Sequence, residues 1–254
     1  METLVGIIVG VVLGLTGAGG SVFAVPLLIY VIQINPSEAM GISLGIVGIS
    51  SFFGVFTKLK SKQISWVKGM IFAVIGSLTA PLGIYLNKQI NETLLLTGFA
   101  FIVIIVAFRM FQHSSKQGNL NHDITTTEIN KKTVLIAITM AALTGLLSGL
   151  FGVGGGFLIV PTLVITMGFH IQSAVATSFL IISIISLSGF ISFINSQNVF
   201  AHYYLFLKLV GGGILGMLVG NIIGKRLSGT ILEQIFAILM LIMAVFVFAN
   251  TILN

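Results

Sequence analysis

Two glycine clusters, Gly17-Ala-Gly-Gly20 and Gly152-Val-Gly-Gly-Gly156, are the residues best placed to do chemistry. Each interrupts an apolar run that otherwise reads as helix. Glycine costs a helix roughly 1 kcal/mol against alanine, so three or four close together break it. Where the helix restarts, at Ser21 and at Phe157, unpaired N–H groups and about half a positive charge form a receptor for an anion. Gly17, Gly19, Gly20, Gly152, Gly154, Gly155 and Gly156 offer such amides with no side chain in the way. Ser21, Ser43, Thr177 and Ser178 add hydroxyl donors, and Pro26 and Pro161 close the two motifs as structural residues. A small oxyanion suits this set, because its oxygens need several donors.

The ionisable groups point the same way. Glu2, Glu38, Glu92, Asp123, Glu128 and Glu233 fall at termini, loops or segment ends. Cation transporters and proton relays instead place a carboxylate mid-membrane. Lys208, about five positions into its segment, and Lys68 read as cations reaching for an interface. His113, His122, His170 and His202 lack a metal-ligand spacing and cysteine is absent, so neither a metal site nor a thiolate nucleophile is expected. The serines of the apolar segments have no buried His or Asp beside them, which argues against an enzyme. The glycine runs lack the Lys-Ser/Thr of a nucleotide loop, and no cofactor is called for.

The elements that must position these residues are membrane helices. The chain has 254 residues, 56% of them hydrophobic and only 7% charged, with a mean hydropathy of +1.14. A soluble domain carries roughly a quarter charged residues, so this chain could not cover a globule in water. Cytosolic or secreted enzymes and disordered chains are excluded together. The net charge of +6 is scattered between apolar segments and makes no continuous face for nucleic acid. A helical span needs about 20 apolar residues. Six segments qualify, near 40–57, 66–86, 93–111, 173–194, 203–224 and 231–253. The glycine-broken stretches, 4–32 and 133–167, have second limbs too short to cross alone. Leu4–Leu15 follows Glu2 rather than a basic stretch and reads as a retained element, not a signal peptide. Gly6, Gly10 and Gly14, with Gly212, Gly216, Gly220 and Gly224, recur at a spacing of four and read as close-packing faces.

The two broken stretches match at a constant shift of 135, from Gly14–Pro26 to Gly149–Pro161, with seven of thirteen positions identical. The shift persists downstream: Ala39 meets Ala174, Ser43 meets Ser178, Ser51 meets Ser186 and Gly54 meets Gly189. The expected organisation is therefore a first repeat over 1–112, a polar cytoplasmic linker over 113–132 and a second repeat over 133–254. If each broken stretch dips in and returns, each copy has three full crossings and the second copy is inverted. The 58–62 loop, the linker and the Lys225–Arg226 loop then share one face, as the clustering of positive charge on the cytoplasmic side requires. If each broken stretch crosses fully, the copies are parallel.

The motifs Gly17-Ala-Gly-Gly-Ser-Val-Phe-Ala-Val-Pro26 and Gly152-Val-Gly-Gly-Gly-Phe-Leu-Ile-Val-Pro161, each followed by Ala-x-x-x-Ser, resemble the sulfite exporter TauE/SafE family of membrane transporters. The resemblance covers essentially the whole chain. It implies a multi-pass plasma-membrane protein that moves small anions, typically sulfur oxyanions or organosulfonates. The first copy departs from the fuller pattern, with Ser21 in the place of Gly156 and Ile42 in the place of Thr177. The expectation is an all-α integral membrane protein of two inverted repeats, whose breaks meet near mid-membrane in one anion site served by alternating access. Its partners are the anion, the lipid bilayer, a coupling proton or ion, and a second copy of the chain. A passive anion channel and a non-transporting membrane scaffold are the alternatives. Single-channel current would mark the first, and failure of every candidate anion to stabilise the protein would mark the second.

Overall fold

Helix ends fall where local chemistry supplies them. Pro36 opens a helix whose first turn carries Glu38 and whose last residue is Lys58, charges that complement the helix dipole at both ends. The computed structural model describes residues 1–17, 19–59, 63–116, 131–153, 156–194 and 203–253. Among them the elements are α1 (Glu2–Thr16), α2 (Gly19–Tyr30), α3 (Pro36–Lys58), α4 (Trp66–Asn87), α5 (Glu92–Lys116), α6 (Lys131–Phe151), α7 (Gly156–Pro161), α8 (Ile171–Ile194), α9 (Tyr203–Gly224) and α10 (Gly229–Leu253). A π-helical turn, Thr162–Thr166, continues α7. Helices α3, α4, α5, α8, α9 and α10 are long and apolar enough to cross a membrane, the six segments expected. Helix α5 runs past the expected 111 to Lys116, and 117–130 of the expected linker lie outside the described residues.

Two glycine seams hold the bundle together. Gly6, Gly10 and Gly14 of α1 face Gly212, Gly216 and Gly220 of α9 so closely that a β-carbon on any of them would run into the opposing backbone. Gly145 and Gly149 of α6 meet α4 in the same way, at Gly76, Ala80 and Gly83. Close backbone approach is what small residues give helices that gain no hydrophobic drive from leaving lipid. Both pairs run parallel. Helices α3 and α8 form the interior, with 78% and 72% of their spans buried against 39–44% for the other four spanning helices.

The direction of α3 and α8 decides how the halves relate. Gly41 lies against Phe193, Gly45 against Phe190, Gly48 against Leu187 and Gly54 against Phe179, so these equivalent helices are antiparallel. Helix α9 runs parallel to α3, with Gly45 against Phe206 and Ser50 against Gly213. The chain therefore enters α1 and leaves α2 at one end of the bundle, and enters α6 and leaves the π turn at the other.

The repeat is written in the backbone. The residues with a left-handed φ among those described are Gly17 and Gly152, at 71° and 64°, and Gln33 and Gly168, at 61° and 65°. Each pair is separated by 135. The limbs also end alike: Ile32 N–H donates to Leu27 O at 3.2 Å and Ile34 N–H to Leu28 O at 3.1 Å, as Met167 does to Thr162 O at 3.2 Å and Phe169 to Leu163 O at 3.0 Å.

Candidate functional site

Each break is a tight left-handed cap. At Gly17 the chain leaves α1, and the N–H of Gly17 bonds back to Leu13 O at 2.7 Å. The chain reverses so sharply that a β-carbon on Gly20 would strike Val9 O. Gly20 and Ser21 are buried at the start of α2, and Gly156 is buried at the start of α7. Gly19 is the first residue of α2, while Gly154 and Gly155 lie outside the described residues. Pro26 stands inside α2, and Pro161 ends α7 where the helix widens into its π turn.

Each break is clasped by the other copy. Ser178 Oγ on α8 donates to Gly17 O at 2.8 Å, and Ser43 Oγ on α3 donates to Gly152 O. Both hydroxyls also lie 2.8 Å from a carbonyl three residues back, Val175 O and Met40 O. Gly17 sits on Val175, and Gly152 on its counterpart Met40, so closely that a β-carbon would collide with either. Thr177 is fully buried and its Oγ1 accepts the N–H of Ser65 at 3.1 Å. These hydroxyls are engaged by backbone.

The two breaks do not meet at mid-membrane, contrary to the sequence-based expectation. Ser43 lies level with residues 191–192 of α8, roughly thirteen residues from Ser178, which at ~1.5 Å per residue is about 20 Å. The physical reason is the glycine seams. Because α1 follows α9 almost to its end and α6 follows α4 likewise, each break is delivered to an end of the bundle. Gly17 and Ser178 are brought together, as are Gly152 and Ser43, but the two groups stay apart.

What occupies the crossing of α3 and α8 is a set of serines. Ser51 and Ser186 are buried, as is Ser50, which faces Gly213 of α9; none of the three hydroxyls has a hydrogen-bond partner among the described residues. Neighbouring hydroxyls such as Ser183 and Thr144 bond a carbonyl one turn back, the normal state in an apolar helix. Ser51 and Ser186 are repeat equivalents, and their match at the shift of 135 was the sequence signal that could have marked them.

Beside the Gly17 break lies a cavity of about 90 Å³ lined by Lys58, Gln63, Gln172, Asn221 and Lys225, with Gly14, Leu15 and Val175 as its floor. Lys58 ends α3, Lys225 follows α9, and Gln172 opens α8, so three elements from both copies contribute. Asn221 donates from Nδ2 to Thr57 Oγ1 at 2.8 Å, while its Oδ1 is buried with no partner among the described residues. At the opposite end Lys208 is paired with Glu2 at 3.0 Å and lies 4.4 Å from the Tyr204 ring centre, tying α1 to the start of α9. One carboxylate near a helix start is buried. Glu233, read from the sequence at a segment end, is the fifth residue of α10 and only 1% exposed, on the face it shares with buried Leu232, while Thr230, Ile231 and Gln234 are exposed.

Residues 3–247 match the model of the sulfite exporter TauE/SafE family. The chain belongs to that family. It is 31% identical over 244 residues to a probable membrane transporter protein of Xylella fastidiosa strain Temecula1, covering 94% of this chain and 91% of that one. It is also 26% identical over 256 residues to the probable membrane transporter protein YunE of Bacillus subtilis, covering 94% and 93%. No solved structure matches. The chain is thus a multi-pass membrane transporter of the TauE/SafE family, and its own two glycine motifs form the two clasped breaks.

Proposed function

We propose that this transporter carries small anions, sulfur oxyanions or organosulfonates, across the plasma membrane by alternating access between two inverted repeats. One observation carries the reading: equivalent helices α3 and α8 cross in opposite directions, with unpartnered Ser51 and Ser186 hydroxyls at the crossing. Inverted repeats meeting near the bilayer midplane are the usual build of secondary transporters. A buried hydroxyl left unbonded costs about 1–3 kcal/mol, so a pair kept so in both copies is a set of donors held for a passing solute. The shared position of Lys58 and Lys225 at one end supports a cytoplasmic orientation for that end. The family's description as sulfite exporters supports the substrate class. Rocking of the copies opens Ser51 and Ser186 first to one face and then to the other, and the Ser–Gly clasps are the contacts that loosen in turn.

Proteoliposomes provide the test. Sulfite or taurine flux through the wild-type chain saturates and shows counterflow, and a Ser51→Val, Ser186→Val double variant of normal melting temperature loses about tenfold or more of it. Flux that never saturates, or single-channel current, overturns the carrier mechanism. Absence of flux for every sulfur oxyanion and sulfonate overturns the substrate class.

A further inference from the structure

We infer that Phe179, seated over Gly54, is a gate: a plug one ring deep that separates the Ser51–Ser186 crossing from the cavity at the Lys58 end. The inference rests on the transport reading above and assigns a residue to its alternating access. On both interior helices the same order of features runs inward along one face. On α3, Lys58 lines the cavity, Gly54 lies four residues deeper and Ser51 three residues beyond it. On α8, Val175 lines the cavity, Phe179 lies four residues deeper and Ser186 seven residues beyond it. Steps of three, four and seven keep to one helix face. Phe179 is fully buried, and a β-carbon on Gly54 would stand 2.9 Å from its ring.

The contact is made twice. Leu44 and Gly189 are the repeat equivalents of Phe179 and Gly54, and a β-carbon on Gly189 would stand 3.2 Å from Leu44, which is also buried. The two plugs lie ten residues of α3 apart, about 15 Å at ~1.5 Å per residue, with Ser51 and Ser186 between them. Their backing differs. Beyond Leu44 the stacked rings of Phe190 and Phe206 cover Gly45, and Phe193 covers Gly41. Beyond Phe179 lies the cavity of about 90 Å³. The barrier is one side chain deep toward Lys58 and several deep toward Gly152.

An apolar constriction closes a polar route by keeping water out of it. Gly54 gives the Phe179 ring a seat against the α3 backbone that any side chain would fill, so a shift of α8 along α3 lifts the plug without unfolding either helix. Inversion of the copies supplies the alternation: the motion that lifts Phe179 from Gly54 presses Leu44 onto Gly189.

Thiol labelling tests the gate apart from transport. The chain has no cysteine, so Ser51→Cys places a single thiol at the crossing. Its modification by sulfonatoethyl methanethiosulfonate, a small membrane-impermeant anion, is followed by intact mass in detergent. The thiol reacts only in molecules whose gate is open, so the rate reads that fraction. Adding Phe179→Ala should speed modification about tenfold or more, and Phe179→Leu, the side chain of the other copy, should speed it less. Phe236→Ala, which removes an equally buried ring from α10, should leave the rate unchanged. Where Phe179→Ala does not give monodisperse protein, Phe179→Leu carries the same comparison. Equal rates with and without the Phe179 ring overturn the gate, and so does an equal acceleration from Phe236→Ala. If the Phe179 variants speed labelling while proteoliposomes carry no sulfite or taurine flux, the gate stands and the substrate reading falls. If wild-type flux saturates and neither flux nor labelling responds to Phe179, the transport reading stands and the gate falls.

Discussion

The break at Gly17 and the break at Gly152 share a frame and differ in what surrounds it. Both turn on a left-handed glycine, both rest on the equivalent residue of the other copy, and both receive a serine hydroxyl from it. Around Gly17, however, stand Lys58, Asn221 and Lys225, whereas the shift of 135 puts Phe193, Leu86 and Ile90 in their places around Gly152. The Phe193 ring fills the space over Gly41, and Asn87 seals the end of α6 by donating to Leu150 O at 2.6 Å. Backbone geometry has been kept twice while side-chain chemistry has been made one-sided. The repeated scaffold is common to both ends, and a few polar and charged residues distinguish one end from the other.

If the frame is shared, breaking it in either copy must cost the same. Gly14 and Gly149 are repeat equivalents in the two seams, and a β-carbon at either would overlap a carbonyl oxygen, of Met217 or of Ala80. Gly14→Leu and Gly149→Leu must each push two backbones apart, at a cost of about 3 kcal/mol or more. Both variants should lose most of their monodisperse peak in size-exclusion chromatography. Gly98→Ala, with no neighbour within 4 Å, should keep it. A large loss in one copy alone would show that only one seam is structural.

The clasps are the next test and a milder one. Ser43→Ala and Ser178→Ala each leave a glycine carbonyl at a helix break without its cross-copy donor, worth about 1–3 kcal/mol. The two losses should be equal within error and, because the clasps lie about 20 Å apart, additive in the double variant. Denaturant titration in detergent measures all three. Strong non-additivity would mean that the clasps report on one another through the α3–α8 pair, which is the coupling alternating access requires.

The apolar windows, the two breaks and the shift of 135 were legible because each is local: a run of apolar residues, a run of glycines, a self-match. What faces what was not. The spacing of Gly6, Gly10 and Gly14 announces a close-packing face without naming α9 as its partner, and that partner carries the break to the end of the bundle. Lys58 and Lys225 are 167 positions apart; the inverted reading put their loops on one face, but only the parallel packing of α3 and α9 puts the two side chains on one cavity. Ser51 and Ser186 looked like ordinary helix serines, since sequence cannot say which hydroxyls forgo their carbonyl one turn back. Glu233 stands near a helix start, as its sequence position indicates, yet it is buried, because a segment end is not always a surface.

Gln33 offers the finest comparison between the copies, because it holds with a glutamine the conformation that Gly168 holds with glycine. A left-handed backbone costs a residue with a β-carbon about 1–2 kcal/mol, part of which glycine gives back through its greater freedom in the unfolded chain. Gln33→Gly should therefore raise stability by about 1 kcal/mol or less, seen as a small rise in melting temperature. Gly168 has open space around it, so Gly168→Gln meets no steric obstacle and should lower stability by a similar amount through backbone strain alone. Opposite signs of matching size would show that the two limbs end in the same energy well. A destabilising Gln33→Gly would instead mean that the glutamine side chain holds the α2–α3 connection by contacts the second copy has no need of.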